Sequence, residues 1–145
     1  MKWIRLEGDA GYFTNPQAYA STAKTVDDLI ARGYNIHFVV SHWLKPWPTD
    51  FPNKDFLSGF AQFAGTLAAA THRPGRVIFE IWNEPNDIGD QFWPKPRKGV
   101  NEAFMYARIL TEATEAIHMR APGAVVMSGG LFTYSGSYGP DMLAE

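Results

Sequence analysis

The feature that most restricts how this chain can fold is an alternation. Four short runs with strand composition, Trp3 to Leu6, Ile36 to Val40, Val77 to Trp82 and Ala124 to Ser128, are separated by three longer stretches with helical periodicity. The runs are rich in Ile, Val, Phe and Trp, residues that suit a pleated, half-buried surface. The first helix is predicted from Asn15-Pro16 to Ala31-Arg32-Gly33, with an Asn cap, Pro at the first helical position and Gly at the end. Its apolar residues Tyr19, Ala23, Val26 and Ile30 fall on one face. The second is expected over Lys54 to Thr71, carrying Phe56, Phe60, Phe63 and Leu67, and the third over Asn101 to Arg120, carrying Phe104, Ala107, Leu110, Ala113 and Ile117. Strands that alternate with helices in this way are joined by crossovers into a parallel sheet, either an open doubly wound sheet or part of a barrel.

Composition narrows the function classes. A chain of 145 residues with 46% hydrophobic residues is read as one compact domain, residues 1–145, able to bury roughly two-thirds of the surface it exposes when unfolded. The formal net charge of -2, without a basic run, argues against nucleic acid or an anionic membrane as partner. The absence of cysteine excludes disulfides, thiolate catalysis and thiolate metal sites. No signal peptide or transmembrane segment is visible, since charge follows Met1 at once and no apolar stretch approaches spanning length. His37, His42, His72 and His118 lack metal-ligand spacing, and Gly129-Gly130 lacks the lysine or third glycine of a phosphate loop. No metal and no cofactor are therefore expected.

The chemistry is concentrated at the end of the third strand and in two aromatic, proline-bearing loops, Ser41 to Pro48 and Asp87 to Gly99. Both loops follow the carboxyl ends of strands, where parallel α/β folds place their sites. In Val77-Ile78-Phe79-Glu80-Ile81-Trp82-Asn83-Glu84-Pro85-Asn86, the residues Glu80, Trp82 and Glu84 share one face while the strand stays regular. Pro85 is expected to hold Glu84 extended, and Asn83 offers an amide beside that carboxylate.

The heptapeptide Glu80 to Asn86 resembles the acid/base motif of the clan A glycoside hydrolases, which are (β/α)8 barrels, and the look is closest to family 39 and its relatives. Trp3 to Leu6 resembles their second strand, Val26 to Phe38 their second helix and third strand, and Phe92-Trp93 follows the motif as in those enzymes. The resemblance implies a partial TIM barrel of about four parallel strands, two to five, with crossover helices. It implies that Glu84 is the general acid/base and that Asn83 binds the sugar 2-hydroxyl. A retaining enzyme also needs a nucleophilic carboxylate about 5 to 5.5 Å from the acid. In the family that Glu closes the seventh strand, so this chain is expected to be a fragment carrying the acid/base half of a retaining glycosidase, inactive alone.

Carbohydrate is the expected ligand. Sugar rings present C–H faces that suit aromatic platforms, so Trp43, Trp47, Trp82 and Trp93 are candidate substrate contacts, with His42 at the end of the second strand. Arg5 is a further candidate at the substrate side, with two alternatives open: a strand arginine paired to a carboxylate such as Glu80, or a support for the nucleophile. A second functional class is a non-catalytic carbohydrate-binding half-barrel, possibly a homodimer that covers its open sheet edges.

Overall fold

The computed structural model describes residues 2–42, 53–85 and 101–131. Its elements follow the expected alternation: β1 (Lys2–Asp9), α1 (Pro16–Ala31), β2 (Tyr34–Ser41), α2 (Lys54–Thr71), β3 (Val77–Ile81), α3 (Glu102–Arg120) and β4 (Val125–Ser128). A short 3-10 turn, Ala10–Tyr12, follows β1 and has no counterpart in the sequence-based expectation. Each helix starts on an asparagine. Asn15, Asn53 and Asn101 accept from the amides of Ala18, Phe56 and Phe104, at 3.1, 2.8 and 3.0 Å, satisfying a donor that the helix itself leaves unpaired.

The four strands are parallel and lie in the order β1-β2-β3-β4. That order has no reversal, which distinguishes it from a doubly wound sheet and matches one arc of a (β/α) barrel. Strand parity explains why all the helices lie on one side. Ile36, Phe38 and Val40 of β2 and Val77, Phe79 and Ile81 of β3 are buried in one core with Leu57, Phe60 and Leu67 of α2 and Met105, Ile109 and Ile117 of α3. Ile4, Leu6 and Val126 extend the same face at its margins. Each fully buried large side chain contributes roughly 1.5–3 kcal/mol of hydrophobic stabilisation, so this face holds the fold together.

The opposite parity carries a different chemistry: Arg5 and Glu7 on β1, His37 and Ser41 on β2, Glu80 on β3. It also carries Trp3, Val125 and Met127, which are exposed. No described helix covers this face, the one that lines the interior of a closed barrel.

The third helix departs from the expected face. Phe104 is 62% exposed and Ala107 is exposed, while Met105, Tyr106, Ile109, Ala113, Ala116 and Ile117 are buried. Two apolar stripes overlap on α3, and contact with α2 selects between them. At that contact the helices come so close that a Cβ on Gly65 would lie 2.7 Å from the Ala116 carbonyl oxygen.

Candidate active site

β3 ends at Ile81, and the chain then leaves the sheet through Trp82, Asn83, Glu84 and Pro85. Two of these residues have positive φ, Trp82 at 71° and Glu84 at 48°. This corrects two sequence-based expectations. Glu84 is not extended: a proline pushes its predecessor toward extended angles, but that local bias gives way here to the tight return after Ile81. Nor does Trp82 share a face with Glu80. Its backbone turns the ring to the helix side, where it packs on Phe60 at 5.5 Å and edge-on to Phe56 at 6.5 Å between centroids. At 2% exposure Trp82 is a core residue and cannot serve as a sugar platform.

Asn83 and Glu84 are half-buried at the carboxyl end of the sheet. Arg5 reaches across from β1 and donates from Nη2 to Asn83 Oδ1 at 2.5 Å. With its oxygen accepting from a cation, the Asn83 amide keeps its NH2 group as a hydrogen-bond donor.

Behind this pair sits Glu80, 4% exposed. Its Oε2 lies 2.5 Å from His37 Nε2 and 3.9 Å from Arg5 Nη2. Its Oε1 accepts from the Gly130 amide at 2.7 Å. One buried carboxylate thus ties together β1, β2 and the chain after β4, in agreement with the reading of Glu80 as the structural partner of Arg5. Desolvating a carboxylate is costly, and these three contacts offset that cost. Gly130 as its partner had no signal in the sequence beyond a Gly-Gly pair after a strand.

His42 follows β2 and meets Phe56 edge-on at 5.4 Å. Burial pushes its pKa below the usual histidine value, partly countered by the negative charge of Asp9. Ser41 donates to Glu7 Oε1 at 3.3 Å, so β1 and β2 are also linked at the mouth of the sheet. A cleft of about 720 Å³ opens beside the end of β1, lined by Glu7, Asp9, Tyr12, Phe13, Ser21 and Thr22 among others. It does not include Asn83 or Glu84. Trp43, Trp47 and Trp93 lie outside the described residues. Among the described residues there is no cluster of three or more His, Asp or Glu able to hold a metal ion, and no helix is long and apolar enough to cross a membrane.

Tyr106, which sequence periodicity missed by one position, reaches the same region from α3. Its hydroxyl donates to the Ile81 carbonyl at 2.8 Å and accepts from the Gly129 amide at 2.6 Å. Burial pushes its pKa up to about 12, so the hydroxyl stays protonated and able to donate.

An unreversed parallel sheet with helices on one face and a polar interior row is the fold of part of a TIM-barrel glycoside hydrolase. The chain belongs to glycosyl hydrolase family 5, whose cellulase model matches residues 1–137. That places it in clan A and corrects the resemblance to family 39, because an acid/base motif common to a clan does not separate its families. An endoglucanase, MaCel5A, from Microbulbifer sp. (strain ALW1) is 30% identical over 122 residues, 83% of this chain and 20% of that protein. Among solved structures, a GH5_18 protein from Streptomyces cattleya in complex with GlcNAc superposes with a TM-score of 0.70 at 22% identity, covering 88% of this chain and 35% of that one. A variant of the same protein in complex with Manβ1-4GlcNAc gives a TM-score of 0.68 at 21% identity, with the same coverage. The chain therefore spans about a fifth of the curated relative and about a third of the solved ones.

Proposed function

We propose that this chain forms the acid/base half of a retaining glycosidase site that hydrolyses β-glycosidic bonds. The observation that carries the reading is Asn83 and Glu84 side by side at the carboxyl end of β3, with Asn83 fixed by Arg5 at 2.5 Å. Glu84 protonates the leaving oxygen, then removes a proton from the water that releases the sugar from the enzyme. The Asn83 amide donates to the sugar 2-hydroxyl, a bond that strengthens as positive charge develops at the anomeric carbon. Arg5 is a positioning residue for Asn83. The nucleophilic carboxylate is proposed to come from a barrel strand other than the four described here. A β-linked glycan is the favoured substrate class, supported by the similarity to an endoglucanase and to a protein solved with Manβ1-4GlcNAc.

The test is hydrolysis of aryl β-glycosides and β-linked oligosaccharides by the chain alone and by the whole gene product that contains it. Activity is expected only in the latter, and Glu84→Gln there should slow the hydrolysis of substrates with poor leaving groups far more than of those with good ones. An equal loss on both substrate types would remove Glu84 from the acid role.

A second reading, a carbohydrate-binding half-barrel that dimerises without turnover, is favoured by one observation: Trp3, Val125 and Met127 are exposed on the helix-free face. A dimeric mass with retained oligosaccharide binding, and no hydrolysis by the whole gene product, would select it.

A further inference from the structure

The turn that carries Asn83 and Glu84 has no regular structure to support it. Two of its non-glycine residues have φ values of 71° and 48°, a backbone state that persists only where the surroundings over-determine it. Among the described residues, three contacts do so. The Trp82 amide donates to the Val40 carbonyl at 2.8 Å, tying the start of the turn to β2. The Trp82 ring is held between α2 and the sheet by Phe56 and Phe60. The third contact comes from Tyr106.

The β3–β4 ladder ends with Ile81 opposite Ser128. One residue later the Gly129 N–H does not bond to the neighbouring strand. It donates to the Tyr106 hydroxyl at 2.6 Å, which donates in turn to the Ile81 carbonyl at 2.8 Å. A side-chain oxygen is thus interposed where a ladder bond would otherwise form, and the chain leaves the sheet at that point. Gly129 closes the other side: a Cβ there would lie 2.7 Å from the Trp82 carbonyl oxygen, 3.0 Å from that of Ile81 and 3.1 Å from Pro85 Cδ. Only a glycine allows the chain after β4 to back so closely onto this turn.

We propose that Tyr106, acting through its bridge between Gly129 and Ile81, is a positioning residue that sets the backbone of the Trp82–Pro85 turn and so the direction of the Asn83 and Glu84 side chains. The catalytic part of this inference rests on the role proposed above for Glu84; the structural part does not. Removing the hydroxyl lets the Gly129 amide and the Ile81 carbonyl approach one another, drawing the turn toward the sheet. The phenol ring stays in the core, so Tyr106→Phe alters the bridge with little change in packing.

The test compares Tyr106→Phe with Ile109→Val, a small core deletion on the same helix, by NMR of the chain. Tyr106→Phe is expected to move the backbone resonances of residues 82–84 and the side-chain carboxyl resonance of Glu84. Ile109→Val is expected to lower Tm without moving either. In the whole gene product Tyr106→Phe should lower kcat by about tenfold with KM nearly unchanged, the pattern of an interaction realised in the transition state. If Tyr106→Phe lowers Tm alone, with residues 82–84 unmoved, the proposal is overturned. Should that variant not fold, amide exchange in the unsubstituted chain decides: the Gly129 amide is expected to be as protected as the β3 ladder, and free exchange would overturn the bridge. Retained activity in Glu84→Gln, by contrast, would overturn the acid/base role while leaving the turn measurements to be judged on their own.

Discussion

The guanidinium of Arg5, in the middle of β1, donates to the side-chain oxygen of Asn83, 78 residues further along the chain, at 2.5 Å. The contact crosses one strand, since β2 lies between β1 and β3. It couples the barrel-interior row to the turn that carries Glu84. Arg5 is also within 3.9 Å of Glu80, so one cation serves a buried carboxylate and a half-buried amide together. Because its side chain is 47% exposed, the stability it contributes is small, and its effect is chiefly on orientation.

Replacing Arg5 by Met should therefore separate stability from function. Unfolding in urea is expected to shift by no more than about 1 kcal/mol, the range of exposed ion pairs. The whole gene product should nevertheless lose about tenfold or more in kcat/KM on β-glycosides, corresponding to about 1.4 kcal/mol of transition-state binding. Equal activity in the two proteins would show that Asn83 does not need this anchor.

Glu80 behaves in the opposite way. Glu80→Ala leaves His37 without its carboxylate and the Gly130 amide without its acceptor, in a site only 4% exposed. Losing a hydrogen bond to a charged group costs about 1.5–3 kcal/mol, a large part of the stability of a small domain. Glu80→Gln keeps an oxygen for Gly130 and should lose clearly less. Denaturation midpoints of the two variants, measured side by side, check the order.

Gly65 poses a contest between two effects. Gly→Ala within a helix usually stabilises by up to about 1 kcal/mol. Here the new Cβ meets the Ala116 carbonyl oxygen at 2.7 Å and its carbon at 3.1 Å, both backbone atoms of α3 that cannot rotate away. Overpacking of this kind costs about 1–3 kcal/mol, so Gly65→Ala is expected to destabilise. The same change at exposed Gly59, where a Cβ would meet nothing within 4 Å, should stabilise. Thermal melts of the pair give the two signs directly.

The pH dependence of folding should carry the mark of His42. Burial lowers its pKa in the folded chain below the usual value of about 6.5, so the unfolded chain binds the proton more readily. The stability associated with neutral His42 is fully present above the unfolded pKa and is lost as pH falls through it toward the folded one. Tm is expected to drop between about pH 7 and pH 5, and His42→Asn should flatten that slope. An unchanged slope in the variant would assign the acid sensitivity to other groups.

The local order of the chain was legible in the sequence because it is written in local chemistry. Asn15 and Pro16 start α1, Gly33 follows its end, and the β-branched runs of β2 and β3 need no distant partner to be recognised. The place of Asn83 and Glu84 just past a strand end was legible too, since a carboxylate before a proline after an apolar run is a contiguous signal. What the sequence could not decide depends on contacts between distant segments. Whether Phe104 or Tyr106 faced inward was settled by packing against α2 and the ends of the strands. Whether Trp82 lined the site or the core was settled by positive φ values, which no local preference of Trp or Glu favours. The grouping of Arg5, His37, Glu80 and Gly130 around one carboxylate follows from strand register, and register exists only once the sheet has formed.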